Sequence, residues 1–457
     1  MAINSRFKQF FKMTPAKYIL LGFAALILVG AALLCLPISN ADGEWLSFID
    51  ALFSSTTSVC VTGLMTVDIA VQFSLFGEFV VLLLVQFGGL GFVTMTAMLF
   101  LFIGKKIDYQ TKITLQESLN KEDSADIVKT VKQIILITMI CEFAGFLMLA
   151  PSMISFSGSF FKGCFQALFL AVSAFCNAGI DPLGTATPDF SNLSHFATNA
   201  LVLLPVMLLI VVGGIGFIVI LDVLSRKGKS KKLATHTRIV LIMTSVLILL
   251  GGAVFMIAEW NNPLTLGSMS TFNKITNGFF QSITTRTAGF ATFNQGDLTQ
   301  ISFLFSSILM FIGGSPMSIA GGIKTTTFFI LLLVMIKNQD QNGNIIYRGK
   351  KITHKVLTKA IRIVLIAVLL LFVGTTLIYV FEGGVLTLNS IIYEVISAIC
   401  TVGLSFGITP ALSVMSKITL IILMYVGRLG MLAIPLAFKT KETNSAIEYV
   451  NAKIVVG

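Results

Sequence analysis

Charge is what this chain has least of. Of its 457 residues only 12% are Asp, Glu, Lys or Arg, while 55% are hydrophobic. The mean hydropathy is +0.92. A soluble domain carries about 25% charged residues. A globule of this size with so few charges could not cover its own surface, so lipid must be the solvent for much of it. Tryptophan and proline are also scarce, at 2 and 10 against 39 Phe, which suits long apolar helices. The three histidines, His195, His236 and His354, are scattered and show no metal-ligand spacing. The six cysteines are Cys35, Cys60, Cys141, Cys164, Cys176 and Cys400. They read as small packing residues in apolar surroundings, not as a disulfide framework. Walker A and HExxH patterns are missing, as is a GxGxxG opening a soluble helix. The sequence therefore offers no cofactor site and no cluster of nucleophiles, bases or metal ligands, which argues against an enzyme.

The formal net charge is +11. Its basic residues fall in short runs between apolar segments, which is the pattern of cytoplasmic loops and not of a nucleic-acid footprint. Arg6, Lys8, Lys12 and Lys17 precede an apolar run from Tyr18 to Leu36. That run is too long for the core of a signal peptide, so it reads as the first membrane helix. Further apolar stretches cover 76–103, 130–150, 198–223, 238–258, 301–336 (interrupted), 361–381 and 415–437. A spanning helix needs about 20 residues, which gives eight spans. Lys and Arg gather before the first span, between repeats and after the last. The positive-inside rule then predicts cytoplasmic termini and a multi-pass protein of the plasma membrane. The linkers with Arg226, Lys227, Lys229, Lys231 and Lys232, and with Arg348, Lys350, Lys351, Lys355 and Lys359, are the most basic. They suit anionic lipid or a cytosolic partner.

Between paired spans lie shorter segments at 46–65, 161–181, 272–291 and 389–405. They are too short and polar to cross a bilayer and suit re-entrant helices. They align on a glycine: SVCVTG ends at Gly63, AFCNAG at Gly179, TTRTAG at Gly289 and AICTVG at Gly403. Cys60, Cys176 and Cys400 share one column, filled by Arg286 in the third unit. The following helices carry GGLGF at 88–92, GGIGF at 213–217, GGSP at 313–316 and GRLG at 427–430. Two columns in register imply four copies of one unit. The predicted fold is an all-α membrane protein with eight transmembrane helices, as four M1–pore loop–M2 repeats around a central pore. The divisions are 1–104, 105–224, 225–337, 338–438 and a tail at 439–457.

Four polar glycine turns around one axis have a physical use. A dehydrated cation needs its lost water oxygens replaced, and rings of backbone carbonyls can do that. Aiming successive carbonyls at one axis needs positive φ, which glycine allows. Val61, Thr62 and Gly63, then Asn177, Ala178 and Gly179, then Thr287, Ala288 and Gly289, then Thr401, Val402 and Gly403 are the expected filter. Its metal is K⁺ at backbone carbonyls. The short helices would point partially negative C-termini at the same centre. Asp42, Glu44, Asp50, Asp68, Asp181, Asp189 and Asp297 would raise the cation concentration outside. Arg286 is expected behind the filter, bonded to loop backbone or to an acid such as Glu394. In the third repeat, Gly313, Gly314, Ser315, Pro316, Gly321, Gly322 and Lys324 interrupt an apolar helix. Pro316 lacks an amide donor, so broken helix is expected there. Arg428 and Lys324 are charges at membrane depth and hence candidates for function, with Glu142 and Asp222 as possible counter-charges.

The layout, the GGLGF and GGIGF helices and the run GGSPMSIAGGIKTTT resemble the membrane subunit of the Ktr/Trk superfamily of potassium transporters over essentially the whole chain. One span before the first glycine turn is similar to the Ktr branch. The resemblance implies potassium uptake through a gated, channel-like pore, with a sodium- or proton-coupled symporter as the alternative. It also implies possible sodium dependence, a homodimer with one pore per subunit, and a cytosolic ring of KTN/RCK-type regulatory subunits that bind nucleotide. The broken segment at 312–327 becomes an intramembrane gate. From their own charge, Arg428 would hold that segment closed by bonding its carbonyls or narrow the pore electrostatically, and Lys324 would share this role or snorkel to the inner interface.

Overall fold

The computed structural model describes residues 15–91, 94, 97, 127–183, 192–225, 233–337, 340 and 343–430. Three expectations lie partly or wholly outside these residues. They are the second halves of the spans 76–103 and 415–437, the tail 439–457, and the basic runs at 6–12 and 226–232.

Among the described residues the regular structure is helical except for one small hairpin and an isolated bridge between Asn40 and Phe73. A first group comprises α1 (Pro15–Cys35), α2 (Phe48–Cys60) and α3 (Leu75–Leu90). A second has α4 (Ile127–Ser157), α5 (Phe160–Phe175), α6 (Ala200–Ile215) and α7 (Phe217–Leu224). The third has α8 (Thr235–Glu259), α9 (Thr271–Thr284), α10 (Gln300–Phe311) and α11 (Thr325–Ile336). Next comes an antiparallel pair, β1 (Ile345–Tyr347) and β2 (Lys350–Ile352), in which Ile346 faces Lys351. The last group is α12 (His354–Phe381), α13 (Leu388–Ile399) and α14 (Val414–Leu429).

Helices α1, α4, α8 and α12 are long and apolar enough to cross a membrane. The helices expected to return across it are shorter. The 198–223 segment, expected as one span, bends by 95° between α6 and α7. The hinge is Gly216, whose φ of 101° and ψ of 136° lie where only glycine sits without strain. Gly91 ends α3 and Gly430 ends α14 in nearly the same conformation, with φ of 84° and 90°. Hydropathy continues past Gly216, so the sequence reads as one run where the backbone turns. The 301–336 segment is broken as expected, between α10 and α11.

Each third helix packs on the short helix of the next group: α3 on α5, α6 on α9, α10 on α13, and α14 back on α2. The packing is therefore cyclic. Small residues allow the close approach. A Cβ on Gly88, Gly213 or Gly427 would collide with the carbonyl oxygen of Val59, Phe175 or Ile399, at the C-terminal ends of α2, α5 and α13. A further column, in the first helix of each group, went unread in the sequence. Gly30, Gly145, Gly251 and Gly374 face Ser55, Ala171, Ser282 and Val395 of the short helices. Ser55 and Ser282 use that closeness to donate to the Ile27 and Ile248 carbonyls at 2.7 and 2.9 Å. These two hydroxyls thus find partners within the apolar bundle, which makes their burial tolerable.

Candidate functional site

The short helices end in turns that share one design. In α2, α5 and α13, the residue two before the glycine has left-handed backbone: Val61 at φ 55°, Asn177 at 55° and Thr401 at 49°. The third turn matches with Thr287 at 71°. The glycines follow at φ 98°, 66°, 78° and 97° for Gly63, Gly179, Gly289 and Gly403. Such alternation is what aims successive carbonyls the same way, and β-carbons oppose it at the glycine step.

The four turns meet. A Cβ built on Gly63 comes within 2.7 Å of the Ala178 carbonyl oxygen, and those on Gly179, Gly289 and Gly403 meet the carbonyls of Ala288, Val402 and Thr62 equally closely. The contacts run from each group to the next and close on the first, so the predicted residues lie around one axis. The side chains of Val61, Thr62, Asn177, Ala178, Thr287, Ala288, Thr401 and Val402 are at most 2% exposed.

Bonds from the helix ends brace the turns. The amides of Gly63 and Gly403 donate to Thr57 Oγ1 and Ser397 Oγ at 2.9 and 3.0 Å, and Ile180 donates to Ser173 Oγ at 3.0 Å. In the third turn the helix stops earlier relative to its glycine than in the other three, and Thr284 Oγ1 donates to the Phe290 carbonyl at 2.6 Å. Asn192 ties two turns together. It donates to the Gly179 carbonyl at 3.0 Å and accepts from the Ala291 amide at 3.2 Å. Of the outer acids, burial pushes the Asp181 carboxyl up to about 7, and the nearby Asp68 charge adds to the rise. Asp50 instead pairs with Lys417 at 3.0 Å. Asp189 lies outside the described residues.

Arg286 and the three cysteines are buried behind the turns. The expected bond from Arg286 to Glu394 is not made. Glu394 accepts from Ser405 and, at 3.2 Å, from Thr409, while Arg286 Nε has no partner.

Below the turns, residues 312–324 form the non-helical segment between α10 and α11. Gly313 (φ 34°) and Gly322 (φ 68°) pack Cα to Cα at its neck. Gly314 donates to the Gly321 carbonyl at 3.2 Å, and Ser315 Oγ meets Thr325 Oγ1 at 3.0 Å. The segment then reaches the other groups. The Ser315 and Ile319 amides donate to the Gly214 and Gly213 carbonyls at 3.1 and 3.3 Å, and Phe217 donates to the Met317 carbonyl at 3.0 Å. Pro316 brings its own carbonyl against Gly216. The Gly321 amide donates to Thr287 Oγ1 at 3.1 Å. Arg428 donates through Nη1 to the Ile319 carbonyl at 2.6 Å, and through Nη2 to the Gly88 carbonyl and, at 3.1 Å, the Gly89 carbonyl. Lys324 turns back to the Ala320 carbonyl at 2.5 Å. Glu142 bonds Gln86 at 3.2 Å, and Asp222 accepts from the Ala234 amide at 3.2 Å. Among the described residues no group of His, Cys, Asp and Glu could hold a metal ion.

Residues 23–449 match the TrkH family, described as a cation transport protein. The chain belongs to the TrkH family. Within it, the chain is 34% identical to the Ktr system potassium uptake protein B of Bacillus subtilis, over 98% of this chain and 97% of that one. It is 35% identical to the potassium/sodium uptake protein NtpJ of Enterococcus hirae, over 98% of both. The potassium transporter TrkH of Vibrio parahaemolyticus shares the fold, with a TM-score of 0.72 at 17% identity, over 93% of this chain and 84% of that one. The Ktr/Trk resemblance and the reading as a non-enzymatic membrane transport protein are thereby borne out.

Proposed function

We propose that this TrkH-family chain takes up potassium across the plasma membrane through a single pore built from four M1–pore loop–M2 repeats with eight spans. Val61 to Gly63, Asn177 to Gly179, Thr287 to Gly289 and Thr401 to Gly403 are its selectivity filter. Their carbonyls replace the water of K⁺. The segment with Gly313, Gly314, Ser315, Pro316, Gly321, Gly322 and Lys324 is the gate, and Arg428 is its latch. The repeats divide at 1–104, 105–224, 225–337 and 338–438. The observation that carries this reading is the closed cycle of glycine-to-carbonyl contacts, which supports one axis and not four separate sites.

Sodium is a second permeant or coupling ion in this proposal, a reading favoured by the likeness to a potassium/sodium uptake protein. The chain works as a homodimer beside a cytosolic, nucleotide-binding regulatory ring of KTN/RCK type. The basic hairpin at Arg348, Lys350 and Lys351 is a support for such docking, and the positive-inside bias supports cytoplasmic termini. The test is Rb⁺ uptake into liposomes holding the purified protein, with and without sodium. Uptake driven by an imposed potential, with no fixed ratio to sodium, supports a pore. Uptake in fixed ratio to sodium makes the chain a symporter, and no uptake of either ion removes the reading.

A further inference from the structure

Three of the four first helices carry an aliphatic residue three positions before the glycine that faces a short helix: Ile27, Ile248 and Leu371. The second group places Glu142 there, on α4, only 8% exposed. A lone carboxylate at that depth costs several kcal/mol unless a cation pairs with it. Its hydrogen-bond partners are an amide and a thiol. Gln86 Nε2, on α3 of the first group, donates to Glu142 Oε2 at 3.2 Å. Cys176 Sγ, at the end of α5, lies 4.0 Å from Glu142 Oε1 and 3.7 Å from Gln86 Oε1.

Counting donors settles how these groups fit. A carboxylate only accepts, whereas a carboxylic acid also donates once. With a neutral acid the contacts close into a ring. Gln86 donates N–H to Glu142, Glu142 donates O–H to the Cys176 sulfur, and Cys176 donates S–H to the Gln86 carbonyl. With a carboxylate, the thiol is the lone hydrogen contested by two acceptors. Gly89 permits the arrangement, since a Cβ there would sit 2.6 Å from Cys176 Sγ. Gly88 and Gly89 are also the residues whose carbonyls hold Arg428.

We propose that Glu142 is a positioning residue in its neutral acid form, pinning the second glycine turn to α3 through Cys176 and Gln86. It sets the spacing between the turn that ends at Gly179 and the helix end that anchors Arg428. It carries no ion and needs no charge. The consequence for ion flux rests on the pore reading above, but the protonation state does not.

The experiment therefore has two arms on the full chain in liposomes. The infrared difference spectrum of wild type minus E142Q should contain a protonated carboxylic C=O band at neutral pH. A carboxylate band in its place overturns the proposal whatever the chain transports. In the second arm, K⁺ and Na⁺ uptake are measured for E142Q, E142A and Q86L. E142Q keeps the accepting carbonyl and a donor, so its K⁺ preference over Na⁺ should stay within about twofold of wild type. E142A and Q86L each remove two of the ring's three hydrogen bonds and should lose at least about fivefold. An E142Q loss as large as that of E142A means the charge is used and overturns the proposal, as does unchanged preference in both E142A and Q86L. No uptake by the wild type would instead count against the pore reading and leave the infrared result to stand.

Discussion

The ring of glycine turns and the segment beneath it are built on opposite principles. The ring is held by closeness. Each glycine lies against the next group's carbonyl, and the flanking side chains are buried in the short helices. No atom can be added without moving backbone. The segment at 312–324 is held by directed bonds: to Gly213, Gly214 and Phe217 of the second group, Thr287 of the third, and Arg428 of the fourth. Such bonds can be exchanged one by one at about 1 kcal/mol each. A jammed ring suits discrimination by size and carbonyl number. A segment hung from exchangeable bonds suits movement.

Substitutions can test that contrast. The largest effect is expected in the ring. Gly403→Ala places a methyl against the Thr62 carbonyl at a φ of 97°, and should cost more than tenfold in K⁺ preference over Na⁺, or prevent folding. Gly289→Ser, at φ 78°, is the second ring variant, read in the same Rb⁺/Na⁺ competition assay. Equal preference in folded Gly289→Ser would break the comparison. Next is the latch. Arg428→Gln loses charge-assisted bonds to three carbonyls, worth about 1.5–3 kcal/mol each. Resting flux should rise about tenfold or more with ion preference unchanged. A shift in preference with no rise in flux would put Arg428 in the ring's service instead. Smaller still is Ser315→Ala, which removes the hydroxyl pairing with Thr325 at 3.0 Å. Its resting flux should rise about threefold.

The smallest effect belongs to the mouth. Asp181 titrates near 7 because burial and Asp68 disfavour its charge. It is neutral below that pH and anionic above. Uptake at low external K⁺ should therefore fall as external pH drops through about 7, and Asp181→Asn should flatten that slope at the lower level. A wild-type slope retained in the variant would assign the titration to another group.

Much of this was legible in the sequence because glycine marks the step of each turn where φ is most positive. The SVCVTG, AFCNAG, TTRTAG and AICTVG columns brought the twelve residues of the turns into register, and the structure gathers them around one axis. The break after α10 was equally plain from its glycines and Pro316. Gly216 was harder. It sits inside an unbroken apolar run, and hydropathy does not distinguish a straight helix from one bent by 95°. The column of Gly30, Gly145, Gly251 and Gly374 was missed because isolated glycines in apolar helices are common. Only its recurrence at the same place in each copy could have exposed it. Arg286 is expected to bond loop backbone or an acid such as Glu394, yet Glu394 bonds Ser405 and Thr409 and Arg286 Nε has no partner. A side chain buried behind the turn was correctly expected, but its bonding depends on geometry between groups that are distant in sequence.

The cyclic packing leaves a seam. Three of the junctions join groups that follow one another along the chain, but the fourth closes α14 onto α2. That junction is fastened by the Lys417–Asp50 pair and by Tyr425, which donates to the Leu20 carbonyl at 2.5 Å. Until α14 is in place, the ring of contacts stays open between the fourth group and the first. A ribosome that stops short of residue 414 would leave not a weaker barrel but a gutter.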